Sequence, residues 1–97
     1  MLFLIRTDVA LPADMDPEIR ADFLQRERDY VTNLQHTGVI KALWQVVGER
    51  SQYSIYDTDD LDRLHSILEG SPMFAFLAHT LTPLAQHPDA LAYYLNE

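Results

Sequence analysis

Val39-Ile40-Lys41-Ala42-Leu43-Trp44-Gln45-Val46-Val47-Gly48-Glu49-Arg50-Ser51-Gln52-Tyr53-Ser54-Ile55-Tyr56 is the stretch that decides the fold. It holds two runs of strand-forming residues around a short polar connection. In the first run, Val39 to Gly48, Ile40, Ala42, Trp44 and Val46 point one way; Val39, Lys41, Leu43, Gln45 and Val47 point the other. Gly48-Glu49-Arg50-Ser51 has hairpin length. In the second run, Gln52 to Tyr56, Tyr53 and Ile55 alternate with Ser54 and Tyr56. A hairpin therefore sits mid-chain, and on both sides of it the apolar period lengthens to that of a helix.

Upstream, helix one is expected from about Pro17 to Gln35. Asp16 can cap it, Pro17 suits its first position, Glu18 suits its positive end, and Gly38 stops it. Its apolar residues fall at 23, 24, 30, 31 and 34. Glu27 lies four residues after Phe23, three before Tyr30 and seven before Leu34, spacings that stack side chains on one face. A carboxylate beside an apolar stripe is costly unless paired, hydrogen-bonded or used. Glu27 is thus the candidate acid/base; the plainer reading is a rim carboxylate paired with a neighbouring Arg.

Farther out, residues 2–9 read as strand one, with Phe3, Ile5, Thr7 and Val9 on one face and Leu2, Leu4, Arg6 and Asp8 on the other. Downstream of the hairpin, Asp57-Thr58-Asp59-Asp60 is a turn and capping cluster. Helix two follows, Asp60 to Glu69, with Leu61, Leu64, His65 and Leu68 on its stripe. An apolar connector over Met73–Leu77 leads to strand four at 78–82. Pro83 to Pro88 is a turn, and residues 89–97 form a C-terminal tail, helical from Asp89 to Tyr94. The order β-α-β-β-α-β predicts an α+β, ferredoxin-like domain spanning 1–97, with one antiparallel sheet and both helices on one face. The other face carries apolar side chains with nothing to cover them, which predicts association. Two such sheets packed face to face make a dimeric α+β barrel, so a homo-oligomer, at least a dimer, is expected.

Composition narrows the partners. The chain has 97 residues, a net charge of -8 and a pI near 4.7. That balance argues against nucleic acid and anionic membrane as partners, while leaving room for a small anionic substrate held by local Arg residues. There is no Cys, so no disulfide or thiolate chemistry, in keeping with a cytoplasmic setting. The apolar start, Met1 to Ile5, is too short for a signal segment, and no run approaches the roughly 20 apolar residues of a membrane span. No phosphate-cradling or nucleophile-elbow motif occurs, and the four His are scattered at 36, 65, 79 and 87, so no metal or cofactor is expected.

Two further polar groups interrupt apolar patterns. His65 lies on the stripe of helix two, as a hydrogen-bonded core residue or a site residue. Arg6 alternates with Leu2 and Leu4, and its plainer reading is a sheet-edge ion pair with Asp8 or Glu49. Trp44, Tyr53, Tyr56, Phe74 and Phe76 read as core or interface aromatics that can equally wall a pocket.

Taken together the residues resemble the muconolactone delta-isomerases and the related chloromuconolactone dehalogenases. The similar segments include Met1 to Arg6, Leu11-Pro12, Asp14-Met15-Asp16-Pro17, Glu27 followed by a basic residue, Leu43-Trp44, Tyr53-Ser54-Ile55-Tyr56-Asp57, Leu64-His65, Pro72-Met73-Phe74 and His87-Pro88. The resemblance implies a ferredoxin-like fold assembled into large rings, typically decamers. It implies cofactor-free isomerisation of a butenolide in aromatic-compound catabolism. Glu27 would then take the ring γ-proton and return it, or pass it on, at the α-carbon. His65, Tyr53 and Ser54 are candidate donors to the oxyanion, Arg6 or Arg28 a candidate cation for the substrate carboxylate, and Arg28 a candidate catalytic residue beside Glu27. Trp44 and Phe74 are candidates for the pocket wall. The chain departs from the family at Arg28, usually Lys, at Ile40, usually Trp, at Gln45, usually Arg, and at Phe74-Ala75-Phe76, usually Phe-Pro-Tyr. These changes point to a less polar, roomier pocket. The alternatives are a cofactor-free cyclase, isomerase or oxygenase of the same barrel acting on a larger aromatic or polyketide-like substrate, or a non-catalytic ligand-binding subunit.

Overall fold

In the computed structural model, which describes residues 1–91, the elements run β1 (Leu2–Val9), α1 (Pro17–His36), β2 (Ile40–Gln45), β3 (Ser51–Asp57), α2 (Leu61–Glu69), one 3-10 turn (Phe74–Phe76) and β4 (Leu77–Leu84). The strands form a single antiparallel sheet in the order β2-β3-β1-β4. The α1 crossover carries the chain from β1 past β3 to β2, the split β-α-β arrangement.

The central strand sets the layers. Phe3 lies opposite Tyr56 and Pro83, Ile5 opposite Ser54 and Leu81, and Thr7 opposite Gln52 and His79. This face carries the core: Phe3 and Ile5 are fully buried and pack with Leu34 of α1, Leu64 of α2, Val39, Ile40 and Tyr56. Leu4, Arg6, Tyr53 and Ile55 alternate onto the opposite face, which no described element covers.

Caps hold the helices where the sequence predicts. The Asp16 carboxylate accepts from the backbone N–H groups of Glu18 and Ile19 at 3.1 and 3.2 Å, and Asp60 accepts from that of Arg63 at 2.8 Å. Gly38, at φ +80°, lies just past α1 in the left-handed region that favours glycine.

Several boundaries and faces differ from expectation. In β2 the register shifts between Ile40, opposite Tyr56, and Ala42, opposite Ile55. This bulge at Lys41 breaks strict alternation. Ile40 and Leu43 therefore share the core face, and Ala42 and Trp44 turn to the other. Val46 and Val47 leave the strand; the Val46 N–H closes the turn on the Ser51 carbonyl at 2.9 Å. β4 is longer than expected and includes Pro83, tolerated because β4 is an edge strand that need not donate outward. In α2 the packed residues are Leu64, Ile67 and Leu68, while Leu61 is exposed. His65 follows Leu64 and is turned about 100° away from the core, so it is not a core residue. Its Nε2 lies 3.6 Å from Glu69 Oε2 at the surface. The expected tail helix, Asp89 to Tyr94, falls mostly outside the described residues; within them the Ala90 N–H donates to the His87 carbonyl in a turn. No described helix is long and apolar enough to cross a membrane.

Candidate active site

The sheet-facing side of α1 carries Tyr30, Val31 and Leu34 against the core. Glu27, three residues before Tyr30, falls on the same side and is half-buried. Its Oε1 accepts a short hydrogen bond from Ser71 Oγ at 2.5 Å and a longer one from the Met73 N–H at 3.3 Å. Both donors belong to the Gly70-Ser71-Pro72 break and the buried Met73 that follow α2. Helix termination thus brings two donors, 44 and 46 residues away, onto the carboxylate. Among the described residues Oε2 has no hydrogen-bond partner.

A small void of about 10 Å³ adjoins Glu27, with Thr7, Tyr30, Gln52, Tyr56, Ser71 and His79 around it. Tyr30 is fixed by donating its hydroxyl to the Ile67 carbonyl at 2.6 Å. Burial, and then the Glu27 charge, pushes the Tyr30 phenol above its ordinary value. The Tyr56 phenol is raised further, first by burial, then by Glu27 and Tyr30, so it stays a proton donor at neutral pH. Burial lowers His79, partly countered by Glu27, and its ring stacks on Phe74 with centroids 6.5 Å apart. One carboxylate thus faces phenols and an imidazole that burial biases toward its neutral form. Among the described residues no group of three or more His, Cys, Asp or Glu is placed to hold a metal.

Beside this void opens a much larger cleft of about 360 Å³, bordered by Arg20, Leu24, Leu43, Trp44, Arg50 and Gln52. Gln52 borders both spaces. Its side chain makes no hydrogen bond among the described residues.

The residues singled out from sequence are not gathered in one place. Glu27 is at the site, Phe74 touches it through His79, and Trp44 borders the cleft while remaining 57% exposed. Arg6 is on the opposite sheet face, where it donates to Glu49 at 2.6 Å and to the Tyr53 hydroxyl at 3.4 Å and pairs with Asp8 at 3.2 Å. The plainer reading of Arg6 is the one the structure realises, and Tyr53 goes with it. Ser54 is buried beneath the sheet with its hydroxyl on the Ile5 carbonyl at 3.4 Å. Arg28 is exposed and donates to Gln25 at 3.0 Å, and His65 is on the outer side of α2. Sequence reasoning did not single out Ser71, His79, Gln52, Arg20 and Arg50 as site residues, and took Tyr56 only as a general aromatic. The register supplied a usable signal: Thr7, Gln52 and His79 stand side by side across three strands.

Comparison with known proteins is decisive at this point. Residues 1–90 match the family model for muconolactone delta-isomerase. The chain belongs to the muconolactone delta-isomerase family. It is 44% identical over 91 residues to the muconolactone delta-isomerase of Cupriavidus pinatubonensis, covering 94% of this chain and 99% of that one. It is 38% identical to the enzyme of that name from Rhodococcus opacus, over 89% and 92% of the two chains. A crystal structure of muconolactone isomerase superposes with a TM-score of 0.89 at 31% identity, covering 94% of this chain and 95% of that one. A 5-chloro-2-hydroxyhydroquinone dehydrochlorinase from Burkholderia phenoliruptrix shares the fold at a TM-score of 0.66 and 19% identity, over 90% and 96% of the chains.

Proposed function

We propose that this protein isomerises muconolactone, or a close relative bearing the same unsaturated lactone, in the breakdown of aromatic compounds. The observation that carries the reading is the Glu27 carboxylate of a family member: half-buried, held through Oε1 by Ser71 and Met73, with Oε2 unpartnered. Fixing one oxygen leaves the other aimed and available as a base.

The proton balance is simple. Glu27 removes the ring γ-proton, and the C–H pair delocalises into a dienolate. The negative charge collects on the lactone carbonyl oxygen, which needs a donor. The Tyr56 hydroxyl, kept protonated by burial, and the unengaged Gln52 amide are donors that border the Glu27 void. The protonated Glu27 exchanges its proton with solvent and then delivers a proton at the α-carbon, so no net charge or electron is transferred.

The uncovered sheet face, with Leu4 beside Ile55 at its centre, supports a homo-oligomer built sheet to sheet. The same reading takes 1–97 as one domain with residues 89–97 as a tail, and places the enzyme in the cytoplasm. The direct test is NMR in D2O with (S)-muconolactone. Conversion to the enol-lactone with deuterium at the α-carbon is expected. Muconolactone unchanged by correctly assembled protein refutes the assignment.

A further inference from the structure

We infer that Arg20 and Arg50 bind the carboxylate of the substrate, at the mouth of the cleft that leads to Glu27. This deepens the isomerase reading and rests on it for the substrate's identity. The void at Glu27, about 10 Å³, holds no more than about one water. The adjoining cleft, about 360 Å³, falls within the roughly 300–1,000 Å³ range of small-molecule sites. Gln52 borders both, so it is the side chain that stands between a molecule seated in the cleft and the base.

The chain has seven Lys and Arg residues against fifteen Asp and Glu. An anion approaching so acidic a protein needs cations that are not already neutralised. Arg6 is paired with Asp8 and Glu49 on the other face, Arg26 with Asp22, and Arg28 is held by Gln25. Lys41 and Arg63 are exposed and border neither space. Arg20 and Arg50 have no ion pair among the described residues, and both border the cleft.

Helix phase and length then fix the span. Arg20, Leu24 and Glu27 follow at steps of four and three, so they share one face of α1. Seven residues of helix separate the two backbone positions by about 10 Å along the axis. Muconolactone's carboxylate is one methylene from its γ-carbon. With that carbon about 3–3.5 Å from the base and the carboxylate about 2.8 Å from a guanidinium, the bridged distance is also about 10 Å. A base at one end and a guanidinium pair at the other match a lactone carrying a short acid arm.

The test compares wild type with Arg20→Gln, Arg50→Gln, the double variant and Arg20→Lys. Arg50 is exposed, Arg20 is half-buried, and neither makes an ion pair among the described residues, so folding is preserved. Binding is measured by calorimetry with the saturated, unreactive lactone acid, 5-oxotetrahydrofuran-2-yl acetate. Turnover is measured with (S)-muconolactone and with a γ-methyl butenolide that lacks the carboxylate. Each Gln change is expected to weaken binding of the acid and raise KM for muconolactone by about tenfold or more. kcat should stay within a few-fold, the pattern of lost uniform binding. Turnover of the methyl butenolide should be unchanged, and Arg20→Lys should keep part of the affinity. Acid binding that is absent in wild type, or undiminished in the double variant, overturns the assignment. Acid binding that depends on both arginines, with neither lactone turned over, upholds the anion site and sinks the isomerase reading instead.

Discussion

Replacing Glu27 by Gln removes the charge and keeps the shape. The Gln side-chain oxygen can still accept from Ser71 Oγ and from the Met73 N–H, which now reach the carboxylate at 2.5 and 3.3 Å. Two hydrogen bonds to an ion, about 1.5–3 kcal/mol each, become two neutral ones of about 0.5–1.5 kcal/mol. Relief of the half-buried charge offsets that loss, so stability should change by no more than about 1 kcal/mol. Activity should respond far more strongly. A positioned general base contributes about 10²–10⁴ in rate, or about 3–5 kcal/mol in the barrier. Initial rates with (S)-muconolactone in D2O and a urea midpoint, measured on the same preparation, separate the two effects. The expected result is a rate lower by at least about a hundredfold at an unshifted midpoint. A kcat/KM within about threefold of wild type, in protein with the wild-type midpoint, would refute Glu27 as the base.

Tyr30→Phe should lower stability by about 1 kcal/mol by leaving the Ile67 carbonyl without its 2.6 Å donor, read as a lower urea midpoint with unchanged slope. Leu64→Ala, at a site only 2% exposed, should cost about 2–5 kcal/mol and unfold much of the protein at room temperature if total stability is at the low end for small domains. His79 makes stability depend on pH. Its folded value is lowered by burial, so as pH falls below about 6.5 the unfolded chain binds the proton first and stability drops until the folded value is passed. Urea midpoints between pH 5 and 8 should show this slope in wild type and lose it in His79→Gln. Leu4→Glu puts a carboxylate beside Ile55 on the uncovered face and should shift the mass measured by sedimentation toward the monomer, without changing secondary structure.

The sequence by itself determined the order of elements and the character of their ends. Asp16-Pro17, Asp60 and Gly38 carry local signals that need no distant partner, and they cap or stop the helices as read. It also placed Glu27 on the packed side of α1, because helical phase is a local property. What it could not decide were quantities set by contact between distant elements. The Lys41 bulge exists because β2 pairs with β3, and it reassigned Ile40 and Trp44 to opposite faces. His65 lost its expected burial because α2 packs through Leu64, Ile67 and Leu68, a choice made by the sheet beneath it. Ser71 and Met73 came to Glu27 only when the break after α2 docked against α1. Arg6 and Arg20 look alike as letters; three-dimensional pairing decided between them, neutralising one with Asp8 and Glu49 and leaving the other unpaired beside a cleft. Local backbone preference is written along the chain, whereas the charge state and company of a side chain depend on residues that meet it only after folding.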